Sequence, residues 1–173
     1  MKLSDAELRQ ALIKHLQSLR RFCYAVTGTA ADGDDLAQNT VERLLDKGVP
    51  DDVVFQAWMF RVCKNLWIDH IRKHARTSTP GNEAVTNAQE SVDGSAVMEQ
   101  QLRFDEVSGA MQQLDSDQRL VLALVAVQGH SYREAAEIME VPIGTVMSRL
   151  ARARSRLLNL MQQTEATDNS AQR

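Results

Sequence analysis

Apolar residues recur at steps of three and four along most of the chain, which is the spacing of amphipathic helices. In segment 5–26 they fall on one helical face: Leu8, Leu12, Leu16, Leu19, Cys23 and Val26. Ser4 and Glu7 have the spacing of a capping box, and Gly28 follows as a stop signal. The pattern predicts a helix from Asp5 to about Val26.

Two more helices are predicted in the N-terminal part. After a turn at 29–34, a helix is expected over 34–47, with its end at Gly48 and Pro50. Its inward positions are Leu36, Thr40, Val41 and Leu44. The longest candidate covers 51–76, where Asp51 and Asp52 suit the positive N-terminal end of a helix. Three helices of this kind can bury one compact core.

The C-terminal part repeats the helical pattern from Met98 onward. Asp115 is followed by a helix that should end at Gly129, and 131–134 has the spacing of a second capping box. That box opens a short helix through Met139. A last helix is expected over 145–162.

Segment 77–97 has no apolar period and is rich in small, polar and acidic residues. A linker of this length is unusual inside one compact domain. We therefore expect an all-α chain with two small helical domains, at 1–77 and 98–163. They would be joined by a flexible acidic linker at 78–97 and followed by a disordered tail at 164–173.

Composition narrows the class of protein. The net charge of −3 excludes a chain that is basic throughout, yet 142–161 holds four arginines and no acidic residue. No apolar run approaches the length of a membrane span, and the N-terminus is polar, so we expect a cytoplasmic protein without membrane insertion. Cys23 and Cys63 lie among apolar residues at helical spacing and are expected to be buried thiols.

Residues 131–157 have the parts of a helix-turn-helix: a short helix, a tight turn at Pro142 and a longer second helix. Val146, Leu150, Ala153 and Leu157 form the inward stripe of the second helix. The other side carries the candidate DNA-binding residues: Thr145, Ser148, Arg149, Arg152 and Arg156. Such a helix can enter the major groove. A solvated basic face without a ligand is the alternative interpretation.

Here the residues resemble a known family. The stretches GHSYREAAEI at 129–138 and VPIGTVMSRLARAR at 141–154 are similar to the C-terminal promoter-reading domain of bacterial sigma-70 factors. In the extracytoplasmic-function group, that domain reads the −35 element. The resemblance therefore implies a sigma factor, a subunit without enzymatic activity or cofactor that directs RNA polymerase to promoters in transcription regulation, often in a stress response.

The N-terminal half carries an independent match. DDLAQNT at 34–40 resembles the helix that docks on the β′ clamp of core RNA polymerase; the resemblance implies that the polymerase-binding residues are Asp34, Asp35, Gln38, Asn39 and Arg43. FQAWMFRVCKNL at 55–66 resembles the helix that recognises and helps to melt the −10 element. The residues implied there are Arg61, Lys64, Asn65, Asp69, Arg72 and Lys73. The loop 48–54 resembles the segment that holds an unpaired base, and Trp67 is a candidate stacking surface.

The resemblance also implies partners: core polymerase through its β′ clamp and β flap, promoter DNA, and an anti-sigma factor. Three positions depart from the family pattern. Asn39 replaces a usual carboxylate, and Met147 replaces a common lysine. Glu140 occupies a turn position often filled by glycine, where a positive φ would strain it.

Two other interpretations compete with a sigma factor. A dimeric helix-turn-helix regulator would act without polymerase, but it would have no need of the matches at 34–40 and 55–72. A metal-dependent enzyme is suggested by His70 and His74, which are four residues apart. The cations between and beside them oppose a metal, and too few ligands are present for a zinc site, so we expect no metal and no catalytic residue.

Overall fold

The computed structural model of the protein describes residues 3–77 and 106–171, with side chains for 3–76 and 106–163. Within these residues, the regular elements are all helical, which agrees with the predicted class. Their bounds are α1 Asp5–Thr27, α2 Ala30–Lys47, α3 Phe55–Thr77, α4 106–112, α5 Ser116–Leu122, α6 Tyr132–Met139 and α7 Ile143–Ala171. The predicted linker at 78–97 and the predicted helix start at Met98 lie outside the described residues.

Both capping boxes form as predicted. The Ser4 hydroxyl accepts a hydrogen bond from the Glu7 amide at 3.3 Å, and the Glu7 carboxylate accepts one from the Ser4 amide at 2.8 Å. Ser131 and Glu134 repeat this arrangement at the start of α6. Each box satisfies amide groups that have no partner within the helix, and so fixes where the helix begins.

Two predicted helix starts in the N-terminal half were wrong. α2 begins at Ala30 instead of Asp34, because the Thr29 hydroxyl accepts the Asp32 amide at 3.1 Å and caps the helix. The small and acidic residues interpreted as a turn are its first turn. α3 begins at Phe55 instead of Asp51. Asp52 has a φ of 63°, a left-handed conformation in which a right-handed helix cannot start.

The last helix is longer at both ends than predicted. α7 starts at Ile143, directly after Pro142, and continues past Gln162 to Ala171. No glycine or proline follows Gln162 to stop it. The backbone of 164–171, in the predicted tail 164–173, is therefore part of α7, and 172–173 lie outside the described residues.

A π-helical segment, Ala123–Val127, follows α5 without a break. The Gln128 amide donates to the Ala123 carbonyl at 3.0 Å, five residues back instead of four. Nothing in the apolar pattern indicated this change of period. Gly129, with a φ of 74°, then ends the helical run as expected.

The N-terminal core is formed where α1, α2 and α3 meet. Phe22 and Phe60 are fully buried, with ring centroids 5.0 Å apart in an edge-to-face arrangement. Gly33 allows α1 and α2 to approach closely, because a Cβ there would lie 3.1 Å from the backbone of Tyr24. These three helices form the expected compact bundle.

The C-terminal helices build a second centre from Leu120, Leu124, Ile138, Val146 and Leu150, all at most 1% exposed. The two halves of the chain also touch. α3 packs against α6, and α1 packs against the π-helical segment. The buried apolar residues therefore form one continuous cluster across both halves.

Candidate nucleic-acid and polymerase interface

The helix-turn-helix forms from α6, the turn at 140–142 and α7. Of the predicted inward stripe, Val146, Leu150 and Ala153 are at most 1% exposed, and Leu157 is half-buried. Ala135 and Ala136 are buried in α6, which packs against α7. Their small side chains allow the two helices to approach closely. This packing fixes which side of α7 is turned outward.

The predicted DNA-binding residues of α7 lie off this stripe but differ in exposure. Ser148, Arg152 and Arg156 are exposed, whereas Thr145 and Arg149 are half-buried. The Ser148 hydroxyl donates to the Thr145 carbonyl at 3.1 Å, within the helix. The exposed residues form a polar and basic surface along one side of the helix.

Arg149 has a partner that the sequence did not indicate. Its Nη2 atom lies 2.7 Å from Oδ2 of Asp117, in the first turn of α5. The ion pair holds the guanidinium beside α5 and partly compensates its charge. Arg149 is therefore oriented before any ligand arrives, while Arg152, one turn onward, extends into solvent.

Glu140 in the turn has φ 58° and ψ 43°, the left-handed conformation anticipated from its position. Its carboxylate lies 2.8 Å from Nζ of Lys64, on α3 of the other half of the chain. This hydrogen bond from Lys64 lowers the pKa of Glu140. The strained turn is thus tied to the N-terminal bundle.

The six predicted residues of α3 fall into two groups. Arg61 and Lys64 contact the C-terminal half: Nη2 of Arg61 donates to the Glu137 carbonyl at 2.6 Å, and Lys64 is buried against Glu140. The remaining four are exposed: Asn65, Asp69, Arg72 and Lys73. The first two residues of this set therefore contact the C-terminal half, and the four that follow along α3 are exposed.

Trp67 is not the open stacking surface considered above. It is 3% exposed, and the Arg119 guanidinium lies 5.6 Å from its ring centroid. The Trp67 side chain is instead buried at the edge of α3. In the loop 48–54, by contrast, Val53 and Val54 are exposed while Val49 is buried.

The predicted polymerase-binding residues share the outward side of α2. All five are exposed: Asp34, Asp35, Gln38, Asn39 and Arg43. Asp34 forms two hydrogen bonds with the Arg20 guanidinium, at 2.9 and 3.2 Å, and Gln38 donates to Glu42 at 2.9 Å. The surface is therefore polar and partly ordered by its own contacts.

The other candidate groups of the sequence are the two cysteines and the histidine pair of α3. Sγ of Cys23 and Sγ of Cys63 lie 3.4 Å apart in the core; this hydrogen bond and burial raise the pKa of Cys23. The rings of His70 and His74 are 4.2 Å apart, but no group of three possible metal ligands occurs among the described residues. No helix in this part is long and apolar enough to span a membrane.

Comparison with known proteins matches each half of the chain to a region of one protein family. The family model for sigma-70 region 2 matches residues 12–77, and the model for sigma-70 region 4 matches residues 104–157. The "ECF RNA polymerase sigma factor EcfG" of Rhodopseudomonas palustris is 34% identical over 171 residues, covering 97% of this chain and 92% of the relative. SigW of Bacillus subtilis is 29% identical, over 79% of each chain.

Among solved structures, the sigma factor RpoE of Bartonella quintana, in complex with the anti-sigma factor NepR, has a TM-score of 0.69. It is 28% identical, and the match covers 89% of this chain and 96% of RpoE. CnrH, solved with the cytosolic domain of CnrY, shares the fold at a TM-score of 0.64 and 23% identity. The chain belongs to the extracytoplasmic-function group of sigma-70 RNA polymerase sigma factors.

Proposed function

We propose that this sigma factor reads the −35 element through α7 and the −10 element through α3, while α2 holds core RNA polymerase. The observation that carries the proposal is the outward side of α7. There, Ser148, Arg152 and Arg156 are exposed beside a buried stripe, in a segment with four arginines and no acidic residue. The protein would act as a subunit, without a catalytic residue or cofactor, in the cytoplasm where polymerase works.

The chemistry of α7 suits duplex DNA. Its first turn and the Ser148 hydroxyl can reach base edges when the helix lies in the major groove. Arg152 can donate two hydrogen bonds to guanine, or one to a phosphate. Arg149, held by Asp117, can contact the backbone beside the groove.

The chemistry of α3 suits a melted strand. Arg72 and Lys73 can hold phosphates, and Asn65 can hydrogen-bond a base edge. Asp69 can accept from an exocyclic amine. An unstacked base also needs an apolar surface, which the exposed side chains of Val53 and Val54 in the loop 48–54 can supply.

Polymerase would bind the outward side of α2 through its β′ clamp and the C-terminal half through its β flap. Binding would set the distance between α3 and α7 and raise their effective concentration on one promoter. The chain has a net charge of −3, so we expect the free protein to bind promoter DNA weakly. A gel shift with and without core polymerase measures this.

An anti-sigma factor of the NepR kind is the second proposed partner. The support is the likeness to RpoE of Bartonella quintana, which was solved with NepR. Co-purification of this chain with a co-expressed NepR-type protein, and loss of transcription on its addition, would test the assignment. Transcription that is insensitive to every such protein from the same genome would contradict it.

Run-off transcription with purified core polymerase tests the promoter-reading proposal. Arg152→Ala should lower initiation by roughly fivefold to a hundredfold, since a good bidentate base contact is worth about 1–3 kcal/mol. Arg154→Ala is the matched control: the same charge is lost from an exposed residue on the other side of buried Ala153. Equal losses in both variants would contradict the assignment of the DNA-facing side.

A pull-down with core polymerase tests the role of α2 and separates this function from a polymerase-independent regulator. Asp35→Ala should weaken capture several-fold, whereas Asp5→Ala, which removes an exposed carboxylate from α1, should not. A wild-type chain that never binds core polymerase, yet binds a palindrome as a dimer, would favour the regulator instead.

A further inference from the structure

The side of α3 that carries Arg61 and Lys64 is covered by the C-terminal half of the same chain. Arg61 donates to the Glu137 carbonyl at 2.6 Å, and Lys64 donates to the Glu140 carboxylate at 2.8 Å. Each pair is 76 residues apart in sequence. Two cations proposed to hold promoter DNA are thus already occupied by protein oxygen atoms.

The Lys64–Glu140 pair is asymmetric in its exposure. The Lys64 side chain is 6% exposed, whereas that of Glu140 is 53% exposed. A buried ammonium group is strongly disfavoured without a partner, and here Glu140 provides the negative charge. Lys64 can therefore stay buried only while Glu140 is in place, and it becomes free for DNA only when the two halves separate.

The backbone at Glu140 strengthens this interpretation. With φ 58°, the residue occupies the left-handed conformation at the end of α6, which glycine adopts without strain. Glycine there would end the helix equally well but would lack the carboxylate. The contact with Lys64 gives a physical reason for a strained glutamate at this position.

Other contacts close the same boundary between the halves. The Phe60 ring lies 5.2 Å from the His130 ring in an edge-to-face arrangement. Nη1 of Arg119 donates to the Val26 carbonyl at 2.9 Å, and its guanidinium covers Trp67. The closed arrangement is therefore a packed interface, with the Lys64–Glu140 pair at one edge.

We propose that Glu140 is an autoinhibitory latch, which keeps Lys64 and Arg61 from DNA until polymerase or promoter phosphate replaces it. The inference rests on the proposed role of α3 in promoter binding. The exchange is of one anion for another, because a DNA phosphate can take the place of the carboxylate on Lys64. Since Glu140 also begins the turn into α7, one contact restrains the helices proposed for both promoter elements.

Three variants of the full chain test the latch. Glu140→Gln removes the charge, and Glu140→Gly removes the carboxylate while relieving the backbone. Glu137→Gln is the matched control, because it removes an exposed carboxylate three residues away and leaves intact the carbonyl that Arg61 binds. Opening is measured by acrylamide quenching of Trp67 in a Trp58→Phe background, and by small-angle X-ray scattering with Trp58 intact.

Both Glu140 variants should raise the open population on the order of tenfold, as expected for loss of a hydrogen bond between charged groups. Core polymerase should then be bound about tenfold faster, because the competent fraction limits the apparent affinity and rate. Glu137→Gln should match the wild type in every measurement.

Two results would overturn the latch: equal quenching in the Glu140 and Glu137 variants, or opening that leaves polymerase binding and run-off transcription unchanged. The quenching and scattering measurements need no polymerase. Failure of the wild-type chain to bind polymerase would instead contradict the proposed function, and the two failures are thereby distinguishable.

Discussion

Replacement of Arg119 by lysine should destabilise the whole fold although it keeps the charge. The guanidinium makes five hydrogen bonds. It donates to the carbonyl oxygens of Met111, Val26, Gln112 and Leu114 and to the side-chain oxygen of Gln112, at 2.6 to 3.1 Å. Four of these bonds hold the C-terminal end of α4 and the turn after it, and the one to Val26 reaches the other half of the chain.

The expected cost follows from the donor count. A lysine ammonium has three donors at one point, whereas the five donors of arginine are spread over a planar fork, so at least two bonds are lost. A hydrogen bond to a charged group contributes about 1.5–3 kcal/mol, and less where water can replace it. Arg119 is half-buried, so we expect a loss of about 2–4 kcal/mol, or roughly 4–16 °C in Tm for a chain of this size.

Thermal and urea denaturation followed by circular dichroism measure the loss. Arg133→Lys, on the exposed side of α6, is the control and should change the free energy of unfolding by less than about 0.5 kcal/mol. If Arg119→Lys unfolds at the same temperature as Arg133→Lys, the carbonyl contacts do not stabilise the fold and the reasoning is refuted.

Three further outcomes are expected. Burial lowers the pKa of His130 below 6.5, against the opposing effect of Glu134. The stability that depends on neutral His130 should therefore be fully present above pH 6.5 and be lost as the pH falls through the lowered pKa of His130. Replacement of His130 by glutamine should flatten this pH dependence, as measured by urea denaturation at about pH 7.5 and about pH 5.5. The Cys23 thiol should react with iodoacetamide at least about a hundredfold more slowly in the native chain than in urea; equal rates would contradict its burial. Ala153→Leu should cost about 1–3 kcal/mol by overpacking, whereas exposed Ala151→Leu should cost little, as measured by chemical denaturation.

Local sequence signals predicted the helices and several of their ends. Two helix starts are determined by hydrogen bonds between residues only three apart, Ser4 with Glu7 and Ser131 with Glu134. This spacing can be read directly from the sequence. The inward stripe of α7 followed from the same short spacing. The starts of α2 and α3 were missed, because a threonine cap and a left-handed aspartate produce no break in the apolar pattern.

Contacts between the halves could not be predicted in this way. Lys64 and Glu140 are separated by 76 residues, and Arg119 and Val26 by 93. Each of these residues has an ordinary local environment, and its partner depends on how two domains pack. The family resemblance gave candidate roles to the residues of α3, but only the structure reveals that Arg61 and Lys64 are engaged by the chain itself.

The π-helical segment Ala123–Val127 has a consequence for the geometry of the C-terminal half. One extra residue in a helical turn shifts everything after it by about 100° around the axis. Gln128 thereby meets Ser18 of α1, whose hydroxyl donates to its side-chain oxygen. Deletion of a single residue from this segment would restore ordinary α-helical winding and turn Gln128 away from Ser18. The angular position of the C-terminal helices relative to α1 therefore depends on one additional residue in this segment.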